Sequence, residues 1–155
     1  MRRSLISLLG AGWLALALPA HAGSGRVLKV LPEFLDLKGR TSLSSSLYER
    51  DAYQATLRAH PAQRSGIRFF IQWKTSGALW EPLKLRLELR GAAAGNLPKQ
   101  LVFDLPVENI GSPFSRWTDV TLTGEDYKQF GGVTAWRATL WEGAHLLGAQ
   151  QSFLW

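Results

Sequence analysis

No cysteine occurs among the 155 residues, which removes a disulfide framework, a thiolate metal site and a lipid-modified cysteine in one step. Histidine is almost as scarce. His21, His60 and His145 are far apart, and no paired spacing sets two imidazoles on one metal, so no metal or other cofactor is expected. Acidic charge is also in deficit: 12 Asp and Glu stand against 18 Lys and Arg, a formal +6 with a pI near 10.1. A basic balance draws a protein toward anionic surfaces. Beyond Arg2 and Arg3, however, the cations are spread from Arg26 to Arg137 with no consecutive run, the pattern of a solvated surface, and no nucleic-acid partner is expected.

Long apolar runs are missing beyond the first residues, and the one near the start is short. Arg2 and Arg3 precede an apolar stretch from Leu5 to Leu18, followed by Pro19 and the triplet Ala20, His21, Ala22. This order of basic, apolar and small-residue segments reads as a secretory signal peptide, residues 1–22, cut between Ala22 and Gly23. A retained membrane span needs about 20 apolar residues, more than this run supplies. The expectation is an exported protein, periplasmic or secreted, without a membrane span. Export would remove Arg2 and Arg3 and lower the formal charge by two.

Residues 23–155 are the length of one domain. Hydrophobic residues make up 46% and charged residues 19%, a globular balance rather than a disordered one. Residues 23–25 form a short lead. Strand patterning follows from Val27, with Pro32 marking an edge strand that kinks or changes sheet there. In GIRFFIQWK, Ile67, Phe69, Ile71 and Trp73 share one face, with Arg68, Phe70, Gln72 and Lys74 on the other. LKLRLELR, 83–90, alternates four leucines with charged residues. A residue period of two with one wet face is the mark of an antiparallel sheet. Further strands are read at 101–105, closed by Pro106, at 117–122, 133–141 and 146–155, with small-residue loops at 91–96 and 111–113. A helical turn follows Thr123 and Asp126 and stops at Gly131 and Gly132. The fold class expected is all-β, an immunoglobulin-like antiparallel β-sandwich of about seven strands with one inserted helix. A small closed barrel is the alternative.

The inserted helix is SSSLYERDAYQATLRAHP, 44–61. Ser46 and Glu49 have capping-box spacing, and Pro61 disfavours helical geometry at His60. Tyr48, Ala52, Ala55 and Ala59 form the stripe expected to pack on the sheets. Arg50, Tyr53 and Leu57 fall on the other side, where they are expected to stay exposed as candidate partner-binding residues.

LPEFLDLKGR, SLYERDAYQATLR, RSGIRFFIQWK and the terminal SFLW together resemble a group of exported immunoglobulin-like or fibronectin type III-like β-sandwich proteins of bacteria. The resemblance implies the fold and an exported location, and it carries over no catalytic residue.

Catalytic patterns are missing as well. There is no G-x-S-x-G, and Ser42, Ser44, Ser45 and Ser46 precede a helix, where serine serves as a cap. The carboxylate pairs Glu33/Asp36, Glu49/Asp51 and Glu125/Asp126 could suggest glycoside hydrolysis, but two of them sit at helix starts, where acids complement the helix dipole. Gly131 and Gly132 lack the Lys and Ser/Thr of a phosphate loop. A non-enzyme is expected. Tryptophan is the abundant oddity. Trp73 aligns with the core face, and Trp136 and Trp141 fall on opposite faces of one strand. Trp80 and Trp117 are the candidates for exposure and glycan binding. Two functions follow: a non-catalytic exported binding or structural module with a protein partner, and alternatively a carbohydrate-binding module using exposed tryptophans.

Overall fold

The computed structural model describes residues 23–93, 96–108 and 114–155. The signal-peptide reading of 1–22, the turn at 111–113 and part of the 91–96 loop lie outside the described residues. In chain order the elements are β1 (Ser24–Asp36), α1 (Leu47–Ala59), a short 3-10 turn (Pro61–Gln63), β2 (Arg64–Ser76), β3 (Leu83–Ala92), β4 (Pro98–Val107), β5 (Arg116–Thr123), α2 (Gly124–Phe130), β6 (Gly132–Glu142) and β7 (His145–Gln151).

Seven strands pair antiparallel into two sheets, β1-β2-β5 and β4-β3-β6-β7. In immunoglobulin lettering A-B-E faces C′-C-F-G, an all-β sandwich with an inserted helix. The core is what the period-two patterning dictates. Ile67, Phe69, Ile71 and Trp73 on β2 meet Leu83, Leu85, Leu87 and Leu89 on β3, all buried, with Val120, Leu122, Ala138 and Leu140 completing the layer. Each such large side chain contributes about 1.5–3 kcal/mol when taken fully out of water. Trp73 also finds a partner for its indole N–H, which donates to Thr118 Oγ1 at 2.9 Å.

Along one flank β1 and β7 lie side by side. Glycine permits the approach, because a Cβ on Gly148 would fall 2.9 Å from the Arg26 Cα. The β6–β7 hairpin turns at Gly143, whose φ of +53° is a conformation that L side chains rarely adopt. On the opposite flank the edge strands are β4 and β5. Proline is tolerated at an edge, so β4 begins at Pro98 and runs through Pro106 to Val107 instead of closing there.

Several local expectations are corrected. The lead at 23–25 is already strand from Ser24. Pro32 stays in register opposite Phe69, and the irregularities of β1 fall at Leu28 and between Leu35 and Asp36. Ser46 and Thr123 occupy the N-cap positions of α1 and α2, but neither side chain makes a capping hydrogen bond. In the first case Ser44 Oγ takes the Ser46 N–H instead, at 3.1 Å. The last strand stops at Gln151. Ser152 then exchanges two hydrogen bonds with the Trp136 backbone, and the Trp155 ring is covered by the guanidinium groups of Arg90 and Arg137, 4.1 and 4.8 Å from its centroid. Trp136 packs against the core while Trp141, on the other face of β6, bonds Thr139 Oγ1, as their odd spacing requires.

Candidate ligand-binding cleft

The site begins with the helix that joins β1 to β2. β1 is an edge strand, and an edge exposes backbone groups that need partners. Gln54 supplies them. Its Oε1 accepts the Phe34 N–H at 2.8 Å, and its Nε2 donates to the carbonyls of Phe34 and Thr41 at 2.9 and 2.7 Å.

This docking overturns the expected orientation of α1. Tyr48 is 84% exposed, and Ala52, Ala55 and Ala59 face water with it. Leu57, expected outside, is 1% exposed, and Arg50 and Tyr53 are half-buried, so the three do not form a free partner-binding surface. The buried stripe is Arg50, Tyr53, Gln54 and Leu57, spaced i, i+3, i+4 and i+7. It is largely polar because it lies on a strand edge, where hydrogen-bonding groups are satisfied, rather than on an apolar sheet face.

Beside Gln54, Tyr53 donates its hydroxyl to Asp36 Oδ2 at 2.8 Å. Asp36 also accepts the backbone N–H groups of Lys38 and Arg40 at 2.8 and 2.9 Å and the Arg40 Nε at 2.8 Å. Burial acting alone would raise this carboxyl. The bonds from the Arg40 backbone, the Tyr53 hydroxyl, the Arg40 guanidinium and the Lys38 backbone outweigh it and hold Asp36 well below the usual carboxylate range. The same bond to Asp36, together with burial, pushes the Tyr53 phenol up. The clamp fixes the turn after β1 and with it the start of α1.

The helix so placed walls one end of the outer face of sheet β1-β2-β5. The register sets three rows across that face: Lys29, Gln72 and Trp117; Leu31, Phe70 and Asp119; Glu33, Arg68 and Thr121. Leu31, Phe70 and Trp117 make an apolar floor in a cleft of about 340 Å³, and Lys29, Glu33, Thr41 and Arg50 supply its polar lining. Arg50 Nε stands 3.5 Å from Glu33 Oε1. Arg68 is spent on its own row and the next, donating to Thr121 Oγ1 at 3.0 Å and lying 3.8 Å from Asp119.

Of the two tryptophans expected outside, Trp117 is 50% exposed and lines the cleft. Trp80, 81% exposed, sits on the β2–β3 loop, where its backbone N–H donates to the buried carboxylate of Glu142 at 2.6 Å. It is not among the residues lining the cleft, so the two do not make one platform there. The structure does bring together Trp117 and Arg50, singled out in sequence for different reasons.

Lys29, Leu31, Glu33 and Phe70 escaped sequence reasoning as a group, although a signal was present. In the rows Lys29-Leu31-Glu33 and Arg68-Phe70-Gln72, one large apolar residue interrupts a water-facing polar series. The carboxylate pairs dissolve into separate contacts: Glu33 goes to Arg50, Asp36 to Arg40 and Tyr53, and Glu125 to Lys128 at 2.8 Å. His60 bonds the Thr56 carbonyl at the helix end, 3.0 Å away. Among the described residues, no three His, Asp or Glu side chains are grouped as a metal site, and no helix is long and apolar enough to cross a membrane. Comparison of the chain with protein-family models, curated proteins and solved structures returned no match.

Proposed function

We propose that the protein is a non-catalytic, exported β-sandwich binding module whose cleft on the outer face of β1-β2-β5 takes a carbohydrate. The observation that carries the reading is the half-exposed Trp117 ring set beside Phe70 and Leu31 and rimmed by Lys29, Thr41, Glu33 and Arg50. An aromatic face matches the C–H face of a sugar ring, and polar groups at its margin match the hydroxyls. The volume is at the lower end of the range of about 300–1,000 Å³ typical of small-ligand sites. The non-catalytic reading rests on how the acids are used: Asp36, Asp104 and Glu88 are committed to arginines, and Glu142 braces a loop. Export rests on the pattern of residues 1–22, and N-terminal sequencing of protein recovered outside the cytoplasm, beginning at Gly23, checks it.

The test is tryptophan fluorescence of the purified protein titrated with soluble oligosaccharides. A saturable change is expected, weakened about tenfold or more by Trp117→Ala, the loss of roughly 1.4 kcal/mol of stacking and contact. Trp80→Ala should leave it in place. No saturable change with any glycan, or one indifferent to Trp117, defeats the reading.

A second reading, a protein partner, is favoured by Trp80. Its loop is braced by Glu142, and Pro82 on the same loop lines a largely apolar groove of about 320 Å³ with Leu83, Pro106 and Gly143, bordered by the Lys84–Asp104 ion pair. A rigid exposed aromatic beside an apolar groove is the makeup of an interface hot spot. Photo-crosslinking from position 80 should then capture one protein species, and from position 117 none.

A further inference from the structure

We propose that the carbohydrate taken by this cleft is acidic, a chain of sugar rings carrying carboxylate groups, bound with one ring on Trp117 and its acid groups toward the β1 side of the sheet. The inference rests on the carbohydrate reading above and names the class of sugar.

Three cations with no acid partner among the described residues, Lys29, Arg26 and Lys74, lie on this face beside Arg50. Arg40, Arg68, Arg86 and Arg137 all donate hydrogen bonds to side chains. Arg50 makes only the 3.5 Å approach to Glu33, with no hydrogen bond at Nε, and Lys29 has no ion-pair partner among the described residues. One row beyond Lys29, Arg26 and Lys74 face each other directly across β1 and β2, again with no acid pairing either among the described residues. Like charges opposite one another in a sheet are destabilising, so this arrangement works against folding and in favour of an anion. Arg26, Lys29 and Lys74 thus lie along one strand pair of a single face, and Arg50 reaches it from α1. Of the two acids nearby, Glu33 offsets Arg50 at 3.5 Å and Asp119 lies 3.8 Å from Arg68, which leaves Lys29, Arg26 and Lys74 uncompensated.

The row geometry fits a sugar acid. Lys29 and Trp117 occupy the same row with Gln72 between them, a separation of about 10 Å at the usual strand spacing. A ring stacked on Trp117 therefore sends a substituent across Gln72 toward the Lys29 ammonium. The next ring of a chain would reach the Arg26 and Lys74 pair, which borders its own depression of about 200 Å³.

The experiment compares three probes by titration calorimetry on the full protein: an oligogalacturonate, a neutral oligogalactan of equal length, and inorganic polyphosphate. The oligogalacturonate should bind at least tenfold tighter than the galactan, and raised salt should erode that advantage. Arg26→Gln with Lys74→Gln, both outside the cleft lining, should remove much of the preference while leaving galactan binding unchanged. Both positions are exposed, so folding survives the change. Equal affinity for the two glycans overturns the acidic-sugar inference and leaves the carbohydrate reading standing. Failure of both glycans overturns the carbohydrate reading and the inference with it. Polyphosphate binding as tightly as the galacturonate, with Trp117→Ala affecting neither, marks a bare anion surface and also overturns the inference.

Discussion

Gln54 stands in for a missing strand beside Phe34. Its side-chain amide takes the Phe34 N–H at 2.8 Å and gives its own N–H to the Phe34 carbonyl at 2.9 Å, the pair of bonds that a neighbouring strand would make. The helix therefore does more than connect β1 to β2. It closes part of a sheet edge that would otherwise be open to another chain.

Gln54→Leu should cost about 2–3 kcal/mol of stability, because it leaves a backbone donor and acceptor without partners while adding apolar volume. Urea unfolding measures it. Gln54→Glu keeps the acceptor but sets a buried carboxylate oxygen against the Phe34 and Thr41 carbonyls, so at neutral pH it should cost at least as much. An unchanged midpoint for both would show that water replaces the amide at no cost.

The two faces of α1 should respond oppositely to truncation. Leu57→Ala removes a fully buried side chain and should cost about 2–5 kcal/mol. Tyr48→Ala, on the exposed stripe, should stay within about 0.5 kcal/mol. Thermal melts of the pair check the docking of the helix.

Asp36 should make stability depend on acid. Its folded carboxyl lies well below the ordinary value while the unfolded one titrates near about 3.9, so between them the unfolded chain binds the extra proton. The contribution is complete above about pH 4 and is lost progressively as pH falls toward the folded value. Asp36→Asn should be less stable than the parent at pH 7, with the gap narrowing from pH 4 to pH 2. Tyr53→Phe removes one donor and should cost about 1 kcal/mol at neutral pH. Chemical denaturation across that pH range would show either effect.

Glu142 should control the Trp80 loop. Its Oε1 accepts the N–H groups of both Trp80 and Glu81, at 2.6 and 3.2 Å. Glu142→Ala should cost about 2–3 kcal/mol and speed amide hydrogen exchange at residues 80 and 81, while Glu142→Gln retains an acceptor and should cost less. Exchange rates unmoved in the alanine variant would mean that the loop is held by other contacts.

Much of the sandwich was legible because its signal is local. Leu83, Leu85, Leu87 and Leu89 alternate with charged residues, and a strand half in water has no other way to be written. Trp73 is placed in the core by the same period, Trp80 is read as exposed from its turn-like surroundings, 77–82, and Trp117 stands with Asp119 and Thr121 on the wet face of β5. The end of α1 at Pro61 was equally plain, since proline restricts the residue before it whatever the surroundings.

The face of α1 was misread for a physical reason. An apolar stripe at helical spacing identifies docking onto an apolar surface, and Ala52, Ala55 and Ala59 satisfied that test. The helix instead met the edge of β1, where unpaired backbone groups at Phe34 select an amide rather than a methyl, and nothing in 44–61 announces such a neighbour.

The period of side chains along each strand, and therefore the all-β class and the core, belongs to the sequence by itself. Register and docking belong to the tertiary structure. They carry Lys29 and Trp117 into one row across Gln72, swing Arg50 over Glu33, and set Arg26 against Lys74. Lys29, Glu33, Arg50 and Trp117 line one cleft, with Arg26 and Lys74 beside it on the same face, only because strand pairing and helix docking ignore distance along the chain.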